Sequence, residues 1–147
     1  MQKLLPPRLF LIFAASMVGF DRFLPGLELI PPPLHWPGLL LLALGLGVTI
    51  AARAQFARAR TNIYTFSEPD LLVTDGLFRL TRNPMYLGFS VALVGLSLFL
   101  GSLVPMLLAA AYVLISDRWY IAFEENMMLA RFGEDYRRYA RRTRRWL

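Results

Sequence analysis

The chain has 147 residues, enough for one domain, and 56% of them are hydrophobic, against roughly 45–50% in soluble domains; its mean hydropathy is +0.47. The absence of cysteine excludes disulfides, thiolate metal sites and a cysteine nucleophile. The formal net charge is +6 and, of the 16 basic residues, only Lys3 is a lysine; because the arginines flank long uncharged runs, they suit the anionic head groups of a bilayer rather than nucleic acid.

The first apolar run extends from Leu9 to about Leu24. Its uncharged part, Leu9–Phe20, is short beside the roughly 20 residues of a membrane span, and Asp21 and Arg22 close it at the far interface. Lys3 and Arg8 before an apolar run imitate a secretory signal, but no small-residue cleavage site follows, so the segment reads as a retained span. Residues 25–37 hold Pro25, Gly26, Pro31, Pro32, Pro33 and Pro37, a proline density that makes a loop. The second run, Leu34 to Ala52, has Pro37 in its first helical turn. Its helix continues past Arg53 towards Arg58 and Arg60. His35, the single histidine, sits beside Trp36 at the interface. Gly45-Leu46-Gly47 inside the span reads as a packing feature.

Residues 61–84 form a polar connection in which Asp75-Gly76 signals a turn. A connection this long in a small chain points to function. The uncharged stretch from Met85 to Ser116 is too long for one span. Gly101-Ser102 divides it into a hairpin of two helices, Met85–Leu100 and Leu103 to about Phe123, with Pro105 in the first turn of the second. In the tail, Phe132-Gly133 ends a helix. Another runs from Glu134 to about Arg142, with acids first and arginines last, as the helix dipole favours. Trp146 reads as an interface anchor.

Basic residues cluster at the N-terminus, in the middle connection and in the tail, and are scarce in the proline loop and at the hairpin turn. The rule that cytoplasmic segments carry the arginines and lysines therefore predicts both termini inside. The expected fold is all-α: a single domain over 1–147, a polytopic bundle of about four spans, with a C-terminal helix at the cytoplasmic interface. The expected location is a bacterial cytoplasmic membrane.

Three groups of residues stand out. Arg82, Asn83 and Tyr86 put hydrogen-bonding groups at the mouth of an apolar helix that Pro84 starts; they are either a site or a plain helix start with an interfacial tyrosine. Glu124-Glu125 closes the last span. Neighbouring carboxylates point in different directions on a helix, so one is expected towards the middle connection and the other towards solvent; pairing with nearby arginines would also explain them. Gly88, Ala92 and Gly95 share one helix face, for close packing or to make room for a flat ligand. No metal-ligand spacing and no glycine-rich phosphate loop is present.

The run Leu72-Val73-Thr74-Asp75-Gly76-Leu77-Phe78-Arg79-Leu80-Thr81-Arg82-Asn83-Pro84-Met85-Tyr86-Leu87-Gly88 resembles a signature of the isoprenylcysteine carboxyl methyltransferase family and its phospholipid methyltransferase relatives. The tail from Glu124-Glu125 through Phe132-Gly133 to Tyr136 and Tyr139 resembles a second, and the ending Arg144-Arg145-Trp146-Leu147 also fits. The likeness covers about residues 60–147. It implies an S-adenosylmethionine-dependent methyltransferase acting at the cytoplasmic membrane face on a lipophilic small-molecule or lipid acceptor. Carried over by position, Asn83, Pro84, Tyr86 and Leu87 would line the cofactor site from one side, and Glu124, Glu125, Tyr136 and Arg137 from the other, with Glu124, Glu125 and Arg82 as the catalytic group. Two positions depart from the pattern. Asn83 stands where prenylcysteine-methylating members carry histidine, and Leu77 replaces the usual proline. Nor does an arginine stand one turn before Glu124 or Glu125 to clamp a substrate carboxylate; Arg118 is two turns before Glu125. The alternative is a catalytically degenerate member acting as a membrane interaction protein.

Overall fold

The computed structural model describes residues 5–23, 26–58 and 71–147, and among them it is all-helical, with a single isolated β-bridge. The helices are α1 (Pro6–Phe23), α2 (Pro37–Arg58), α3 (Pro84–Leu100), α4 (Leu103–Ile115) and α5 (Ala122–Arg142). A 3₁₀ turn, Gly76–Arg79, precedes α3, and a π-helical turn, Ser116–Ile121, joins α4 to α5. Arg60, expected on the continuation of α2, and the start of the polar connection lie outside the described residues.

Proline fixes the helix starts. Pro6, Pro37 and Pro84 are the first residues of α1, α2 and α3, where the missing N–H has no intrahelical partner to lose. Glycine fixes the stop of α3: Gly101 takes φ 77° and its N–H bonds the Ser97 carbonyl, a left-handed cap. The hairpin expected around Gly101-Ser102 is present, and the proline loop packs on it. Leu29 and Ile30 donate their N–H groups to the Gly101 carbonyl at 2.8 and 3.0 Å, and Leu103 donates to Leu27 at 3.0 Å. Ser102 Oγ donates to Asp21 at 2.5 Å, which ties the end of α1 to the same tip.

The tightest packing is between α2 and α3. A Cβ placed on Gly45, Gly88 or Gly95 would overlap backbone atoms of the facing helix, so these glycines set the interhelical distance. Ala92, the middle member of the predicted small-residue face, is fully buried among them. Thr49 completes the interface, its hydroxyl donating to Gly45 of its own helix at 3.1 Å. Gly47 does not belong to it: nothing lies within 4 Å of its Cβ position, because it faces away from α3. α1 packs on α3 and α4, with Phe10 stacked on Phe89 and Phe13 edge-on to Tyr112.

Among the described residues, two helices are long and apolar enough to cross a membrane: α2, and the run Leu103–Arg142, which is kinked at Gly133. Only 11% and 22% of their most apolar windows are buried inside the protein, the reverse of a soluble core helix. α3 is equally apolar but has 17 residues. Leu11, Ile12, Leu40, Leu44, Ile50, Leu107 and Leu114 are all exposed, an apolar exterior of the kind lipid would solvate.

The contrast between neighbouring glycines gives a test. Gly45→Ile forces backbone apart and should cost about 3 kcal/mol, lowering the thermal midpoint in detergent by several degrees, whereas Gly47→Ile should leave it near the starting value. Equal effects would disprove the close α2–α3 contact.

Candidate functional site

Where α3 begins, and where α2 ends, the bundle opens into a cavity of about 700 Å³. Its polar part is built from two segments far apart in sequence. The first is the entry to α3. Pro84 disfavours helical backbone at the residue before it, and Asn83 accordingly sits at φ −130° and ψ 55°. The Asn83 N–H donates to Thr81 Oγ1 at 3.1 Å. That arrangement presents Arg82 and Tyr86 to the cavity.

The second segment follows the π-helical turn. Glu124 Oε1 accepts a 2.7 Å hydrogen bond from Tyr86, and Glu125 Oε1 accepts one of 2.7 Å from Arg82 NH2. Arg82 also donates through NH1 to the carbonyls of Ala140 and Thr143, at 3.0 and 3.3 Å. The expectation that one carboxylate would face solvent is corrected: both line the cavity. About 100° separates neighbours on a helix, and the cavity is wide enough to take in both directions.

The tail returns to the same place. Gly133, at φ 51° and ψ −118°, breaks α5 where the break was expected. Nothing lies within 4 Å of its Cβ position, so glycine is required there by backbone conformation and not by space. Beyond it, Tyr136 and Tyr139 turn into the cavity lining, and Tyr139 donates to the Phe78 carbonyl at 2.6 Å. Burial, and next the Glu125 carboxylate, push the Tyr136 hydroxyl up to about 12, so it remains a hydrogen-bond donor at neutral pH.

After α5 the chain lies against the entry to α3. Arg82 N–H donates to Arg144 at 2.9 Å, and Thr81 Oγ1 and Asn83 Nδ2 both donate to the Arg145 carbonyl at 3.0 Å. The Arg145 side chain reaches Glu125 and Asp117. Its hydrogen bond to Glu125 raises its pKa further above the ordinary arginine value. Trp146, read from the sequence as an interface anchor, donates its indole N–H to Asp117 at 2.9 Å.

Of the residues singled out in the sequence, Arg82, Asn83, Pro84, Tyr86, Glu124, Glu125 and Tyr136 share the cavity. Leu87 and Arg137 do not line it. Leu87 is one helical step beyond Tyr86, and Arg137 is exposed, paired with Glu134 on the outer face at 3.4 Å. Arg118 is also outside, with its side chain 79% exposed. Sequence reasoning missed Tyr139, Asp117 and Arg145. Tyr139 stands three residues after Tyr136, on the same side of the helix. Asp117 offered one signal, a carboxylate inside an otherwise apolar span.

The cavity suits a ligand carrying both signs of charge. Glu124 and Glu125 supply acceptors, Arg53 and Arg82 supply guanidiniums, and Phe78, Tyr86, Tyr136 and Tyr139 supply rings. Arg82 Nε is buried and has no hydrogen-bond partner among the described residues. An orphaned donor of this kind costs free energy unless a ligand meets it. The other wall, from α1 and α2, is apolar: Pro6, Phe10, Leu11, Leu46 and Ile50.

A family profile for phospholipid methyltransferases matches residues 34–135. Protein-S-isoprenylcysteine O-methyltransferase B of Arabidopsis thaliana is 30% identical over 142 residues, covering 90% of this chain and 68% of that protein. The Schizosaccharomyces pombe protein-S-isoprenylcysteine O-methyltransferase is 29% identical over 104 residues, 69% of this chain and 44% of the yeast protein. An uncharacterized Haemophilus influenzae protein is 36% identical over 63 residues, 43% of this chain and all of that shorter one. The chain thus spans between 44% and 68% of the length of these two methyltransferases. No solved structure matches with comparable significance. The profile covers more than half of the chain, and the Arabidopsis relative aligns with nearly all of it; the chain belongs to the phospholipid methyltransferase and isoprenylcysteine methyltransferase-like family.

Proposed function

We propose that this chain, as a single domain, catalyses S-adenosylmethionine-dependent methyl transfer to a lipophilic or membrane-associated acceptor at the cytoplasmic face of a bacterial membrane. The observation that carries the reading is the junction of the two family motifs. Arg82 and Tyr86 from one meet Glu125 and Glu124 from the other, each at 2.7 Å, around one cavity. The cofactor, when bound, supplies a methyl group already activated on a sulfonium. The protein's task is then alignment and exclusion of water, the kind of contribution that holding two reactants in register makes.

In this reading the carboxylates of Glu124 and Glu125 hold the cofactor's ammonium and ribose hydroxyls. Arg53, which lines the same cavity, provides a guanidinium for its carboxylate. Asn83 and Tyr136 contact the cofactor from the two motifs, with Pro84 in the wall beside them. The acceptor's apolar part lies along α1 and α2. Leu11 and Ile50 line the cavity and are 62% and 67% exposed, which supports an opening of this wall to the surrounding lipid. Asn83 cannot titrate, so an acceptor that is already a carboxylate or thiolate needs no base, and a neutral acceptor loses its proton to Glu124 or Glu125. The names of the relatives support a lipid-modified acceptor, and the arginines around the cavity mouth support contact with anionic head groups. About four spans, both termini cytoplasmic and α5 along the interface complete the arrangement.

Topology is tested with reporters. A fusion after Leu147 should report cytoplasm and an insertion near Pro32 the outside; the opposite result at either point rules out the four-span arrangement.

Cofactor binding is tested by titration in detergent. Glu124→Ala and Glu125→Ala should each weaken S-adenosylmethionine binding more than tenfold, about 1.4 kcal/mol or more, the loss expected for a charge-assisted hydrogen bond. Unchanged affinity in both, with the fold intact, contradicts the site.

Asn83 separates an enzyme from a degenerate member. Histidine retains a donor for the Arg145 carbonyl, so Asn83→His should keep tritiated methyl transfer to extracted lipids and lipophilic acids within about tenfold. Asn83→Leu removes one of the two donors to that carbonyl and takes a polar group from the cavity wall, and should raise the cofactor Kd. Because a general base is worth about 10²–10⁴ in rate, a gain of a hundredfold or more in Asn83→His would mark the natural protein as impaired and favour a non-enzymatic interaction role.

A further inference from the structure

We propose that Arg145 is the positioning residue of this site, fixing the Glu125 carboxylate for the ligand through a two-carboxylate fork that also engages Asp117. The inference rests on the cofactor reading above and deepens it.

All three guanidinium nitrogens of Arg145 are used. Nε donates to Glu125 Oε1 at 3.2 Å and NH2 donates to Glu125 Oε2. NH1 donates to Asp117 at 3.2 and 3.4 Å. Only the planar arginine fork makes this pattern; an ammonium is a point charge on a flexible stem and cannot hold both oxygens of one carboxylate while reaching a second. Arg82 alone contacts a single Glu125 oxygen, Oε1, which leaves the carboxylate free to turn about that contact. With Arg145 on the other oxygen, the plane of the carboxylate is set.

Arg145 is itself held at both ends. Asp117 is tied down by the Trp146 indole, and the Arg145 carbonyl takes both Thr81 and Asn83. A simple tether for the tail would need only the main-chain bonds, which Arg82 N–H to Arg144 and Thr81 to Arg145 already provide. The side chain is spent on Glu125 instead. The Asn83 amide therefore acts on Glu125 through the Arg145 main chain, as well as lining the cavity.

The test is isothermal titration of S-adenosylhomocysteine into the detergent-purified 147-residue chain and its Arg145→Ala, Arg145→Lys and Asp117→Asn variants, each with its thermal midpoint and with or without methylguanidinium. The wild type should bind. Arg145→Ala and Arg145→Lys should both weaken binding at least tenfold with midpoints near that of the wild type, and Asp117→Asn by a smaller factor. Methylguanidinium should restore affinity to Arg145→Ala, where the space is open, and not to Arg145→Lys, where it is filled. Wild-type affinity in Arg145→Lys overturns the inference, as does a loss that follows the thermal midpoint and is not rescued, since that is the behaviour of a tether. If Arg145→Ala does not fold, Arg145→Lys and Asp117→Asn decide on the same criteria. Failure of the wild type to bind refutes the cofactor reading and this inference with it.

Discussion

The pair formed by Arg82 and Glu125 is the contact on which the polar end of the molecule depends. It joins segments 43 residues apart, and both side chains are largely withdrawn from solvent, at 15% and 17% exposure. Withdrawing two charges from water is expensive, and the attraction between them offsets that cost only when the remaining donors and lone pairs are also met. Here most are: Arg82 takes two carbonyls from the C-terminal segment, and Glu125 takes a second guanidinium. Removing Glu125 would leave Arg82 charged and poorly solvated, whereas Glu125 would keep Arg145 if Arg82 were removed. The pair is therefore weak evidence for stability, and its use is to fix the two motifs relative to each other.

That geometry is supported from below by a packing constraint of another kind. Between α2 and α3, glycines replace side chains, so backbone meets backbone and the helices cannot slide without collision. In a lipid-facing bundle, where apolar burial gives little net drive, close approach of this sort is the main source of helix association. It fixes the start of α3 relative to the end of α2. Gln55 near the end of α2 then reaches the turn before α3, donating to Asp75 and accepting from the Leu77 N–H at 3.2 Å. Arg82, in the bend just before α3, is thus braced by a rigid pair of helices.

Much of this was legible in the sequence because it depends on local rules. Pro37 and Pro84 start helices, Gly101 ends one and Gly133 breaks one, and each does so through its own backbone preference. The candidate site was legible to the extent that Arg82, Tyr86, Glu124 and Glu125 fall in two motifs whose order implies that they meet. The direction of the second carboxylate was not legible, since it depends on the width of a cavity made by other helices. Arg145, Asp117 and Trp146 were not legible as a group either. Asp117 is one carboxylate in an otherwise apolar helix, and Trp146 reads like any tryptophan near a membrane interface. What unites them is the path of the chain after Thr143, and that path is set by hydrogen bonds to carbonyls, which every residue possesses and no side-chain pattern reveals.

The π-helical turn shows how an apolar span becomes a polar wall without a break in the helix. A π turn inserts about one extra residue, so the side chains that follow are rotated relative to those before it. Upstream, α4 presents Ala109 and Tyr112 to the apolar core. Downstream, Glu124 and Glu125 face the cavity, and within the turn Asp117 is carried to the side where Arg145 can bridge it to Glu125. A continuous α-helix would hold one phase through both regions and could not serve the core and the site equally well. Gly133 makes the second adjustment, turning the last part of α5 back so that Tyr136 and Tyr139 close over the same space. The rod from α4 through α5 therefore carries two faults, and the acidic wall of the cavity lies between them.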